Sequence, residues 1–435
     1  MRFVVAVVAL AVCVHAGLWA LLQERTTAPN FDGQLASVSY APYARSGNPE
    51  AGNRPTASDI RADLKAIASV ARAIRTYSST AGGELVPGIA DEFGLKVTLG
   101  IWLNGSTLEQ ELARARIGDP RSATDSARRN EVELRTALEL SRKHRNINSI
   151  VVGNETVYRG ETVLSGDDQL LPEEVQKIER ARTPEELKRA REDVNVTRLI
   201  RVIQKVKRDT QLPVTTGEIW SVWRDHPELV SAVDYIAVHI LPYWEGIPDS
   251  SAVDKAVQKY SELRQLYPGK RIVIAEFGWP SAGYNRRGAD PGRLVQAAVL
   301  RDFVVRAEAL GIDYNVIEAI DQPWKTFEGS VGPYWGLFDA SRQPKFSWTG
   351  SITNPDIRKI GGIALLIGFL LSLPVLRLRG ATVSEAALLT ISAHAGGAWF
   401  AAVFAYWMGH YFVVGAAFAL GLGIALLIPL VFITL

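Results

Sequence analysis

Between Leu35 and Ala319 the chain repeats one pattern eight times: a short β-branched or apolar run, polar or aromatic residues at its end, then a longer stretch of helical period. Parallel strands cannot be joined by a tight turn, so each needs a crossover, and a helix is the usual one. The strand candidates are 35–40, 73–77, 96–101, 149–153, 214–217, 235–239, 271–275 and 314–319. Amphipathic runs at 58–71, 131–144, 196–209, 252–266 and 291–310 fill gaps between them, with Ser58 and Asp290 as caps or cap neighbours. Eight such units close most naturally as a (β/α)8 TIM barrel, an α/β fold for which roughly 300 residues is an ordinary size. The expectation is one catalytic domain over 31–350.

One segment, 158–195, is longer and more charged than an ordinary βα connection and reads as an insertion on the functional face. Within it, Thr183-Pro184-Glu185-Glu186 marks a helix start, a side-chain cap followed by proline at the first helical position.

The two ends are apolar. Residues 3–22 carry no formal charge and are long enough to cross a bilayer, which predicts an N-terminal transmembrane anchor over 1–24. The run continues well past Ala16, favouring a retained anchor over a cleaved signal, and Val12 is a poor residue before a lipidated Cys13. After the soluble domain, 360–376, 381–407 and 411–435 read as three C-terminal transmembrane helices, within 357–435. With the N-terminus in the cytoplasm, the barrel lies outside, in the periplasm or beyond a bacterial inner membrane, and the Arg377/Arg379 turn lies inside. In the middle C-terminal span, Glu385 is expected at the interface, and His394, beside Gly396 and Gly397, in an interhelical hydrogen bond.

Lys and Arg number 48 against 46 Asp and Glu, a balance that gives no electrostatic reason for a nucleic-acid partner. The lone cysteine, Cys13, forms no intrachain disulfide, and the six histidines show no metal-ligand spacing, so neither metal nor cofactor is expected.

In a barrel of this kind the site forms at the carboxyl ends of the strands. The fourth run ends Gly153-Asn154-Glu155-Thr156 and the seventh ends Ala275-Glu276-Phe277-Gly278-Trp279-Pro280-Ser281. Two glutamates at opposite strand ends of one mouth suit a retaining glycosidase, in which one carboxyl donates a proton and the other attacks. A lone glutamate after a strand is more often a solvated rim residue, so the pairing matters. Trp102, Trp220, Trp244, Trp279 and Trp324 also fall at or beyond strand ends, where flat apolar faces can stack on pyranose rings, although about two of the five are expected in the core.

These motifs resemble the acid and nucleophile motifs of glycoside hydrolase family 17, the β-1,3-glucanase and glucanosyltransferase family. The resemblance runs from Ser39-Tyr40 through Ile74-Arg75-Thr76-Tyr77 to Glu318-Ala319-Ile320-Asp321-Gln322-Pro323-Trp324-Lys325 and Tyr334-Trp335-Gly336-Leu337-Phe338, and looks closer to bacterial and fungal members than to plant ones. It implies Glu155 as general acid/base, Glu276 as nucleophile, and Asn154 as the hydrogen-bond partner of the sugar 2-hydroxyl. Glu276 must be ionised, which Arg75 and the Tyr40 and Tyr243 hydroxyls would favour; the alternative for Arg75 is a structural ion pair. Glu318, Asp321 and Lys325 are expected to bind sugar hydroxyls. Two departures bear on substrate preference: Phe277 stands where a small hydroxyl residue is usual, and His239 where many relatives carry Asn.

The expected activity is hydrolysis or transglycosylation of β-1,3-glucan, with β-1,6 linkages as a second product class. The alternative is a glucan-handling module of a membrane glucan synthase or export complex, partnered by a membrane glycosyltransferase. Asn154-Glu155-Thr156 is formally an N-glycosylation sequon, as are Asn104-Gly105-Ser106 and Asn195-Val196-Thr197. A glycan on Asn154 would block the acid, so a bacterial envelope is the expected location.

Overall fold

A computed structural model of the chain describes residues 2–21, 25–44, 47–105, 125–166, 170–353, 355–377, 380 and 382–410. Among these residues ten strands are assigned in chain order. β1 (Arg25–Thr26) and β10 (Ile352–Thr353) pair antiparallel in a small ribbon. The other eight are parallel and closed into a barrel: β2 (Val38–Ser39), β3 (Ala73–Arg75), β4 (Lys96–Ile101), β5 (Ile147–Asn154), β6 (Val214–Ile219), β7 (Ile236–His239), β8 (Ile272–Phe277) and β9 (Asp313–Val316). Closure comes from β2, where Val38 pairs with Ile74 on one side and Val316 on the other. All eight expected strands are present as a (β/α)8 barrel.

Alternation along each strand sorts the residues into two sets. Ile236, Val238, Ile272 and Ile274 face the helices and join the main core with Leu300, Phe303 and Val304. Tyr235, Ala237 and Ala275 form a separate cluster with Val273, facing the other way, into the barrel.

That alternation breaks where the chemistry lies. On β8, Ile274 pairs with Tyr314 but Phe277 pairs with Val316, three residues against two. On β5, Val151 pairs with Thr215 and Asn154 with Gly217, again three against two. Each is a β-bulge, and one extra residue reverses the facing of everything beyond it. Strict alternation would put Glu276 on the helix side with Ile272 and Ile274. The bulge turns it inward instead, and Phe277 takes the helix side, stacked on Phe303 with ring centroids 3.7 Å apart.

The helices start slightly away from their expected positions. Thr56, not Ser58, caps helix Ala57–Ile67, its hydroxyl accepting from Asp59 N at 3.1 Å. That helix stops before the expected residue 71, because Ala71 instead bridges Leu35 at the barrel floor. Helix Arg293–Leu310 begins after Gly292, two residues beyond Asp290. Thr183 does cap its helix, Pro184–Asp209, in a reciprocal box with Glu186. This helix and the preceding Pro172–Glu179 enclose a small core of Leu170, Ile178, Ala190 and Val194, beside a buried ion pair between Glu174 and Arg198. The insertion is thus a packed helical hairpin.

Among the described residues, three helices are long and apolar enough to cross a membrane: Arg2–Leu21, Ile357–Arg377 and Val383–Ala405. The expected third C-terminal span, 411–435, lies outside the described residues. His394 makes the anticipated interhelical bond, its Nδ1 lying 2.8 Å from Nδ1 of His15, whose Nε2 accepts from the Trp19 indole at 2.8 Å. Glycine permits the close approach: a Cβ at Gly397 would lie 2.6 Å from the Ala364 carbonyl. Glu385 closes a reciprocal cap with Thr382 at the start of its helix. The barrel is fastened to both passages toward these helices by Arg301, fully buried, which donates to the carbonyls of Ala28, Pro29, Ser347 and Gly350 and to Asn30 Oδ1.

Candidate active site

Glu155 sits just past β5 with φ of 54°, a left-handed conformation that a side-chain-bearing residue adopts only when its surroundings impose it. Glu155 N donates to Gly217 O at 2.7 Å and Arg159 N donates back to Glu155 O at 2.8 Å, closing a tight turn. Beneath it, the buried Glu218 carboxyl accepts from Val157 N at 2.7 Å and Tyr158 N at 3.3 Å. Burial pushes the Glu218 carboxyl up to about 8, against the lowering effect of those N–H groups.

Glu276 is held differently. Its side chain is 5% exposed, and Oε1 accepts from Arg75 Nη1 at 2.7 Å and from the Tyr77 hydroxyl at 2.8 Å. Burial alone would raise this carboxyl, but the His239 imidazole, the Arg75 guanidinium and the Tyr77 hydrogen bond outweigh it and hold it below the usual carboxylate range. Arg75 is itself fixed by Ala275 O at 3.0 Å and by Asn154 Oδ1 at 2.7 Å, so one guanidinium orders the nucleophile candidate and the residue beside the acid candidate.

The two glutamates face one another. A carboxylate oxygen of Glu155, one of Glu276 and a ring nitrogen of His239 lie within 4.8 Å of one another. His239 Nδ1 is 2.8 Å from Glu155 Oε1, and Nε2 is 3.6 Å from Glu276 Oε1. Such a trio has the reach of a metal site, but the 2.8 Å contact is a hydrogen-bond distance and Arg75 already occupies the cation position at Glu276. The donor set fits proton chemistry better than a divalent ion.

Residues 37–336, which supply every strand of the barrel and both glutamates, match the model of the BtgE/BtgC glycoside hydrolase domain. The chain belongs to that family. A probable glucan endo-1,3-beta-glucosidase btgC of Aspergillus clavatus is 25% identical over 322 residues, covering 67% of this chain and 39% of the relative. A glucan 1,3-beta-glucosidase of Schizosaccharomyces pombe is 24% identical over 307 residues, covering 66% of this chain and 80% of the relative. Among solved structures, a glycoside hydrolase family 17 β-1,3-glucanosyltransferase from Rhizomucor miehei superposes with a TM-score of 0.51 at 18% identity, covering 71% of this chain and 95% of its own. An endo-laminarinase from Formosa gives 0.52 at 19%, covering 71% and 83%. These two likenesses speak for the fold. The chain spans about two fifths of the btgC relative and most of the fission-yeast one.

Within this family member, several residues expected at the sugar are elsewhere. The Tyr40 hydroxyl points to Asp63 on helix Ala57–Ile67, at 2.9 Å, and the residue is buried. Tyr243 donates to Tyr284 O at 2.7 Å. Neither hydroxyl is bonded to Glu276; Tyr77 is. Trp279 is fully buried, its indole donating to Asp290 O, and offers no face to a sugar. Asp321 is engaged by Lys345 at 2.5 Å and by Gly336 N at 2.9 Å, a loop-holding role. Glu318 and Lys325 pair with each other at 2.9 Å, and burial pushes the Glu318 carboxyl up to about 7 against the lowering effect of Lys325.

Trp102, Trp220, Trp244 and Trp324 stay partly exposed. Trp220 carries Lys259 over its ring at 4.3 Å, and Trp244 stacks on Trp335, so both work in packing. Trp324 lies edge-on to Tyr43, and Trp102 lies beneath Arg159, at 5.0 Å from the guanidinium carbon. Three residues of the cluster were given no role at the glutamates from sequence: Tyr77, noted only within the resembling motif, His239, noted only as a departure from Asn, and Glu218. The rule that found the glutamates, a polar residue ending a β-branched run, applies equally to Glu218 after Thr215-Thr216-Gly217 and to His239 after Val238.

Proposed function

We propose that the chain is a retaining β-1,3-glucan glycosidase or glucanosyltransferase, tethered by its apolar helices with the barrel outside the cytoplasmic membrane. The observation carrying this reading is the approach of the two carboxylates to within 4.8 Å, one of them buried against a guanidinium. Retaining enzymes hold their carboxyls about 5–5.5 Å apart, whereas an inverting pair stands wider to admit water.

In the first step the Glu155 proton passes to the glycosidic oxygen as the C–O bond breaks, and a Glu276 oxygen bonds to the anomeric carbon. In the second, a water or sugar hydroxyl attacks that carbon, its proton returns to Glu155, and Glu276 leaves as a carboxylate. Asn154, anchored by Arg75, is the residue assigned to the 2-hydroxyl. The names of the relatives support β-1,3-glucan as substrate, as does the laminaritriose bound by a Rhizomucor miehei β-1,3-glucanosyltransferase mutant. Trp102, Trp324 and the Glu318–Lys325 pair are the further contacts proposed.

The domain division is anchor 1–24, barrel 31–350 and spans 357–435. A bacterial inner membrane suits the sequon at Asn154, because its side-chain oxygen is committed to Arg75 and a glycan there would destroy the site. The alternative, a glucan-handling module without catalysis, is disfavoured by the ion-paired, buried Glu276.

The test is product analysis with the full chain in detergent on β-1,3 and β-1,6 gluco-oligosaccharides. Products longer than the substrate report transfer and shorter ones hydrolysis, both with retained anomeric configuration. Glu276→Ala should abolish both, and a 2-fluoro glycosyl donor should leave a mass adduct on Glu276. Inverted product, or full activity in that variant, would overturn the mechanism. No product from any glucan would leave the binding module as the better reading.

A further inference from the structure

His239 is placed against both proposed catalytic glutamates, and it is wholly buried. A neutral imidazole carries a single N–H, and what faces each nitrogen decides which one bears it. Nε2 lies 3.6 Å from Glu276 Oε1 and has no hydrogen-bond partner among the described residues. A lone pair there would confront an ionised carboxylate; an N–H is attracted to it. A second proton on the ring is opposed by Arg75. A Cβ added at Gly217 would lie 2.7 Å from both Arg75 Nη2 and His239 Nε2, so guanidinium and ring border the same point.

The charged groups against the ring are Glu155 after β5, Glu276 on β8 and Arg75 on β3, while Glu328 and Lys325, in the loop after β9, act on the glutamates. Glu276 favours hydrogen on Nε2 and Arg75 opposes a second proton, which together leave the neutral Nε2–H tautomer. Nδ1 then presents a lone pair. Glu155 Oε1, at 2.8 Å, can approach a lone pair only by donating to it.

We propose that His239 couples the ionisation of the two glutamates: ionised Glu276 fixes the imidazole as its Nε2–H tautomer, and the Nδ1 lone pair keeps Glu155 in the protonated form a general acid needs. His239 is therefore a positioning residue, acting through Glu155 and Glu276. After Glu155 gives its proton to the leaving oxygen, its carboxylate faces that same lone pair. The contact is relieved when Glu155 takes the proton of the incoming hydroxyl, so the imidazole favours the second step without gaining or losing a proton itself. This rests on the double-displacement reading above, but its first test needs no glucan.

The full chain, labelled with 15N-histidine in detergent micelles, contains six histidines, and His239→Asn identifies the signal of interest by its loss. At neutral pH the expected spectrum has His239 neutral with the one-bond N–H coupling on Nε2. In Glu276→Gln, which removes the charge, the proton should redistribute toward Nδ1. An imidazolium, an Nδ1–H tautomer in the unmodified chain, or a tautomer unaltered in Glu276→Gln would overturn the proposal.

A kinetic readout separates coupling from mere packing. His239→Asn should move the alkaline limb of kcat/KM to lower pH, because Glu155 loses its acceptor. A uniform loss with both limbs in place would mean that the ring only fills space. If the tautomer behaves as stated and no glucan is processed, the site reading fails while the coupling stands.

Discussion

Arg75→Met is the sharpest test of how the proposed nucleophile, Glu276, is kept charged. Methionine preserves most of the apolar stem and removes the guanidinium that sits 2.7 Å from Glu276 Oε1. Glu276, 5% exposed, is then left with the Tyr77 hydroxyl and the more distant imidazole. Removing one partner of a buried ion pair costs about 3–5 kcal/mol, nearly all of it borne by the uncompensated charge. That cost falls on the ionised form, so at about 1.4 kcal/mol per pH unit even its lower end displaces the acid limb by about two pH units. Tyr77 and entering water favour the lower end.

The sign follows from the required state. Nucleophilic attack needs the carboxylate, so the acid limb of kcat/KM should move up by about two pH units. Activity should fall most at the acid end of the range, by at most about a hundredfold below both limbs, and recover as pH rises. The assay is oligosaccharide turnover by the full chain in detergent from pH 4 to pH 9, with far-ultraviolet circular dichroism to establish folding. A folded variant whose loss is the same at every pH would refute the reasoning, since Arg75 would then act only by holding Asn154.

Three further outcomes are expected. Gly217→Ala places a methyl 2.7 Å from both Arg75 and His239, two side chains fixed by other bonds, so the fold should persist while kcat/KM drops by about 10–100-fold; unchanged kinetics would show that the cluster gives way freely. Glu218, whose carboxyl is raised to about 8, contributes stability in its protonated form, fully present at low pH and lost as pH rises from the ordinary 4.5 through about 8, at up to about 1.4 kcal/mol per unit. Glu218→Gln cannot titrate, so thermal unfolding between pH 5 and pH 9 should show a flatter stability curve; an identical slope would remove Glu218 as its source. Thr183→Ala removes the cap of the inserted hairpin and should weaken hydrogen-exchange protection over 184–195 by about 1 kcal/mol, leaving the barrel strands protected as before.

Much of this architecture is local and therefore legible in the sequence. Strand and helix periods, the Thr183 cap and the apolar helices depend on neighbours a few residues away, and the eightfold alternation fixes the barrel because parallel strands admit few other closures. The glutamates were legible for the same reason: each ends a strand, and strand ends meet at one mouth. Which hydroxyl serves Glu276 was not. Tyr40 and Tyr77 both follow barrel strands, yet one turns outward to Asp63 and the other inward to the carboxylate. Trp279 carries the same sequence signal as Trp102 but lies in the core.

Facing is decided by register, and register at β5 and β8 is set by bulges: Gly153, with φ of 78°, marks the one in β5, whereas no glycine in β8 announces the other. A one-residue excess relative to a neighbouring strand exists only once the two strands pair. The sequence by itself determined that two carboxyls would stand at the rim of one barrel. Only tertiary pairing decided that they face each other with a histidine between them, because the distance from Glu155 to Glu276 is a property of the closed sheet rather than of the chain.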